Sequence, residues 1–154
     1  MTVVSNYKPY APNAQGLTEV LIDFKSTMDG APTYSIVGYQ CEAFGNVSQG
    51  EALYCRASDG KVGKAIANST LDKAIVAGFA QTTKTAGQTV RVIVAGLSAT
   101  SGLNTGTEYY LSAASAGGIV STPPSTSGQY LTRVGETALS FELIVRLEPP
   151  ILLS

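Results

Sequence analysis

The run Gly106-Thr107-Glu108-Tyr109-Tyr110-Leu111-Ser112, followed by Gly117-Gly118-Ile119, Pro123-Pro124, Gly128 and Arg133-Val134-Gly135, decides the fold class. Glycines fall where tight turns need them, and the segments between are short and rich in aromatic and β-branched residues. The pattern reads as turn, strand, tight turn, strand, loop, strand. No catalytic group stands out inside it. The expectation is an all-β chain folded as a small antiparallel β-barrel or sandwich.

Working outward towards the C-terminus, Leu139 to Leu147 reads as a closing strand. Phe141, Leu143, Val145 and Leu147 alternate with Glu142 and Arg146, which predicts the first set as the buried face, Phe141 included. Ile144 interrupts the polar side. Towards the N-terminus, Gly96 to Gly106 is rich in Ser, Thr, Asn and Gly and reads as a flexible loop, either solvated or touching a partner. Ahead of it, Thr89 to Ala95 is a strand with Val90, Val92 and Val94 on one face and Arg91 on the other, because β-branched crowding disfavours helix. Ala86-Gly87 supplies the turn into it.

Ala52 to Ala57 and Lys61 to Ala67 form a predicted hairpin through Ser58-Asp59-Gly60. Leu71 to Ala74 is one helical turn after Ser69-Thr70, running into a strand over Ile75 to Phe79. Tyr34 to Phe44 is a strand broken near Gly38, and Leu17 to Lys25 is a half-buried strand with Leu21 on its wet side. Residues 1–16 have no period; Tyr7, Pro9, Tyr10 and Pro12 mark them as an extended N-terminal arm that must dock on something. Residues 17–154 then form a single β-domain.

Composition narrows the function. The chain has 154 residues, 14% charged, with a formal net charge of −1, so it carries no basic stripe for phosphates, and no nucleic acid is expected as a partner. No stretch is long and apolar enough to cross a bilayer, and Met1 to Asn6 lack the regions of a signal peptide, so the expectation is a cytosolic product with no membrane partner. Histidine is absent and only Cys41 and Cys55 are thiols, which sets aside the common zinc sites and histidine-based nucleophile relays; no metal and no cofactor are expected. The two thiols read as small apolar residues in a reducing cytosol, with a bridge left open because strand pairing can bring distant cysteines together.

Each carboxylate has a plain structural place. Asp29 and Asp59 sit beside turn glycines, Glu142 and Glu148 on a solvent face, and Glu51, Glu108 and Glu136 at strand flanks. A glycosidase would need two of them across a cleft. The eight tyrosines suit either a sugar-binding face or buried and interface positions, and the second use is the commoner one for an aromatic ring with a polar tip.

Gly50-Glu51-Ala52, Asp59-Gly60-Lys61-Val62 with Lys64-Ala65, Ile75-Val76-Ala77-Gly78, Ala86-Gly87 with Val90 and Val92, and Gly96 make up one half of a pattern. Its other half is Gly106, Tyr109-Tyr110-Leu111-Ser112, Gly118-Ile119, Pro123-Pro124, Gly128 and Val134-Gly135. In that order these pieces resemble a β-module of tailed-bacteriophage virions, found in head decoration (cement) proteins and in some fibres. The likeness spans Gly50 to Leu147, about two thirds of the chain. It implies a non-enzymatic structural protein on the capsid exterior, bound to the major capsid protein, commonly as a homotrimer, and bracing the shell against packaged DNA. The alternative it leaves open is a receptor- or carbohydrate-binding module of a phage fibre or tail. The first fifty residues depart from the simplest decoration pattern.

Two sets of contact residues follow. Tyr7, Pro9, Tyr10 and Pro12 are the expected capsid-binding residues, since a restricted backbone with aromatic contacts loses little entropy on docking; wrapping the arm around its own trimer is the competing use. Leu21, Ile144, Ile151, Leu152 and Leu153 are the expected oligomer interface, being more apolar surface than a low-charge monomer should leave wet.

Overall fold

A computed structural model of the protein describes residues 35–154, which are almost entirely strand and turn. The predicted arm with Tyr7, Pro9, Tyr10 and Pro12, and the predicted strand carrying Leu21, lie outside the described residues. The first half contains β1 (Val37–Glu42), β2 (Ala52–Cys55), β3 (Val62–Lys64), the single-turn helix α1 (Leu71–Ala74), β4 (Gly78–Ala80) and β5 (Thr89–Ala99). The second half contains β6 (Glu108–Leu111), β7 (Ile119–Val120), β8 (Tyr130–Leu131), β9 (Arg133–Leu139), β10 (Glu142–Val145) and β11 (Ile151–Leu152).

The all-β expectation holds. Among the described residues one antiparallel sheet of nine strands runs β3-β2-β4-β5-β10-β9-β6-β7, with β1 also on β5, while β8 and β11 pair separately. Just past β1, Ala43 bridges Val62 of β3, so β1, β5, β4, β2 and β3 curl round on themselves as a small barrel. Val47, Leu53, Val62, Ala80, Val90 and Val92 fill its inside, with Tyr39 and Cys41 packed against them. A second core lies between the outer face of this barrel and the second half of the sheet, joining Ala52, Tyr54, Phe79 and Ile93 to Tyr109, Leu111, Val134, Leu143 and Val145.

This double use explains why alternation fades in the middle of the chain. Strand neighbours point to opposite faces, so a strand covered on both sides is apolar at consecutive positions. Val92 faces the barrel interior while Ile93 beside it faces the second core; Leu53 and Ala52, and Ala80 and Phe79, divide in the same way. Backbone bonds knit the halves together: Gly117 donates to the Ala65 carbonyl and accepts from the Ala52 N–H, Ala67 N–H donates to Ser112, and Tyr130 N–H donates to Ala67.

Several local readings are met. The Asp59-Gly60 turn joins β2 to β3 with Gly60 at φ +71°, Asp59 accepting from the Lys61 N–H and pairing with the Arg56 guanidinium. Leu71 to Ala74 is helical after Thr70, and the break at Gly38 is a register shift between Val37 and Gly38. So short a helix is marginal alone. It is held by the buried Thr132 hydroxyl, which donates to the Ala74 carbonyl at 3.0 Å.

Four readings are corrected. Gly96 to Ala99 is strand rather than loop, because Val145, Ile144, Leu143 and Glu142 of β10 pair with it; the true loop is shorter and buries Leu103. Ile75 to Ala77 is not strand, since the helical turn ends there in an extended cap and the ladder begins at Gly78. Leu139 to Leu147 is not one strand: Ser140 and Phe141 form the turn between β9 and β10. Phe141 is therefore 56% exposed and outside the core, whereas Leu143 and Val145 are buried as expected. Ile144, expected on an exposed face, is half-buried, flanked by Leu97 of β5 and Glu136 of β9.

Candidate interaction surface

Pro149 and Pro150 fix the chain in an extended entry to β11. There Ile151 pairs with Leu131 and Leu152 with Tyr130 of β8; Leu153 N–H donates to the Gln129 carbonyl and Gly128 N–H to the Leu153 carbonyl, both at 2.8 Å. Ile151 and Leu152 are neighbours, so their side chains point to opposite faces, and each is 60% exposed. Neither face of β11 is covered among the described residues. Leu153 is half-buried. A two-stranded ribbon alone is marginal in water; here β8 is tied to the body through the Tyr130 N–H on the Ala67 carbonyl, and the β11 side is left bare. Leu71 and Ile75 add exposed apolar surface on and beside α1, which the Thr132 bond ties to the start of β9 next to β8.

A charged ladder occupies another surface. Tyr110 of β6 lies opposite Arg133 of β9, and Glu108 opposite Glu136. The Arg133 guanidinium reaches Glu108 at 2.9 Å and Glu148 at 3.0 Å, with Glu136 at 3.9 Å; Arg146 holds Glu136 at 2.8 Å, and the Tyr110 hydroxyl donates to Glu108 at 3.0 Å. Partial burial opposes the Arg133 charge, but the bonds to Glu148 and Glu108 outweigh it and raise its pKa further. The bond to Glu108 likewise raises the Tyr110 phenol above its ordinary value. Every carboxylate of the ladder faces a cation, so its chemistry is that of a cross-strand clasp holding β6, β9 and the segment after β10 in register. Sequence reading placed Arg146 and Glu148 on a solvent face but missed the clasp, whose signal is register across strands far apart in sequence.

Of the expected interface residues, Ile151 and Leu152 form one exposed strand, Leu153 follows it half-buried, and Ile144 belongs to β10. Tyr54 and Tyr109 are core residues, Tyr109 accepting from the Asn104 N–H at 2.8 Å, and Tyr39 packs on the barrel core; these three offer no plane to a sugar. Among the described residues no three Cys, Asp or Glu side chains converge as a metal ion requires, and no helix is long and apolar enough to cross a membrane. No protein-family model matches the chain, and no curated protein matches it.

Proposed function

We propose that this chain is a non-enzymatic structural protein of a tailed-phage virion that binds the capsid exterior as a homotrimer. The observation that carries the self-association is β11, a strand whose Ile151 and Leu152 side chains are exposed on both faces. The assignment to a virion rests on the order of turn and strand residues from Gly50 to Leu147 and its likeness to decoration modules. Contacts with the major capsid protein fall to Tyr7, Pro9, Tyr10 and Pro12, whose rings and restricted backbone suit a groove between shell subunits.

Exposed aliphatic surface on β11 is worth burying at about 25 cal/mol per Å², so replacing it by serine removes the drive to associate while leaving both cores untouched. Light scattering should give three times the 15.9 kDa chain mass for the native protein and a single chain mass for Ile151→Ser/Leu152→Ser, with unchanged circular dichroism. A native protein that stays monomeric at every concentration would remove the trimer from this reading.

A further inference from the structure

Cys41 and Cys55 come from different strands and different parts of the sequence, yet their sulfurs converge on one atom. Cys41 Sγ lies 3.1 Å and Cys55 Sγ 3.4 Å from the Gly60 carbonyl oxygen, so the sulfurs are separated by no more than the sum of those two distances. Both thiols stand at the mouth of the small barrel, Cys41 opposite Val90 and Cys55 opposite Val62. The Tyr39 phenol shares this space, pushed up to about 12 by burial and then by the two thiols. The Gly60 carbonyl oxygen is the atom the two thiols share, and it belongs to an exposed turn with no heavy atom within 4 Å of where a Gly60 Cβ would sit.

We propose that Cys41 and Cys55 are a dithiol that a low-molecular-weight disulfide converts into an intramolecular cystine, tying β1 to β2 across the barrel mouth. Their exposures set the order of events. Cys55 is exposed and meets the oxidant first, whereas Cys41 is half-buried and burial, then the neighbouring Cys55, push its thiol up. The Cys55 thiolate attacks one sulfur of the small disulfide, forming a mixed disulfide and releasing one small thiolate, which takes up a proton. Cys41 then loses its proton and attacks the Cys55 sulfur, displacing the second small thiol. Two protein thiols are oxidised by two electrons and one disulfide is reduced to two thiols. In a reducing compartment the pair stays open; outside it, the staple closes.

The test uses the full chain incubated with oxidised glutathione, then alkylated and weighed intact. The expected product is two hydrogens lighter than the reduced protein, takes up no alkylating reagent, yields a Cys41–Cys55 cross-linked peptide, and melts at a higher temperature than its reduced form. Cys41→Ser should instead stop at a stable glutathione adduct on Cys55. The native protein needs no substitution to decide the matter: two alkylatable thiols, glutathione adducts without an internal bond, or a cross-link between chains would each overturn the proposal.

Discussion

Gly96 stands inside β5 at φ +90°, and a Cβ there would lie 2.0 Å from the Ser35 carbonyl oxygen. Two costs meet at that residue: a side chain in left-handed backbone space costs about 1–2 kcal/mol, and prising packed backbones apart costs about 1–3 kcal/mol more. Gly96→Ala should therefore lower stability in urea titrations by about 2–5 kcal/mol, whereas Gly87→Ala, at φ +84° with open space around it, should incur only the first cost. Equal losses at the two sites would mean that the chain at Ser35 does not crowd β5. At Asp59 the Arg56 guanidinium, then the Lys61 N–H, hold the carboxyl down to about 2 from an ordinary 3.8. A carboxylate with a depressed folded-state pKa adds stability that is complete above its ordinary value and is lost as pH falls towards the depressed one. The carboxyl carbon resonance of Asp59 should thus titrate near pH 2, with the Lys61 amide moving in step; a midpoint near 3.8 would show the turn clasp to be absent in solution. The Asp59-Gly60 turn was legible because its residues carry their own backbone preference. Gly96 was not, because a glycine reads alike in a loop and in a strand that must pass close to another.

At the scale of elements, the turn at Ser140 and Phe141 shows where periodicity misleads. Leu139 to Leu147 alternates well, but it crosses a hairpin tip with no Gly, Pro or Asn to mark it, so Phe141 leaves the ladder while Leu143 and Val145 beyond the turn keep the expected face. Leu143 pairs between β5 and β9 and is fully buried, while Phe141 sits on the tip. Leu143→Ala should cost about 2–5 kcal/mol as a buried large-to-small change, and Phe141→Ala should stay within about 0.5 kcal/mol of the native protein. Chemical denaturation of the two variants side by side decides it, and a larger loss at Phe141 would reverse the assignment. β10 also extends β5 past Gly96, a long-range pairing that local composition does not encode, and so a Ser- and Gly-bearing strand read as loop. The apolar β11 was legible in composition alone; that it is bare on both faces emerges only from its pairing with β8.

For the whole molecule, the class was readable from turn residues and short apolar runs, but the arrangement was not. Two cores share strands β2, β4 and β5, and that sharing depends on how the second half folds over the first. The same is true of the surface: the Arg133 clasp joins residues whose sequence separation hides them, and the Cys41 and Cys55 pair, which composition left open, is brought together by the Gly60 turn. The proposed structural role on the outside of a capsid is a matter of location, which immunogold electron microscopy of virions that carry this chain measures, using antibody to the purified protein. Many gold particles should be spread over the head of each virion. Label confined to the tail or fibres, or virions without label, would contradict it.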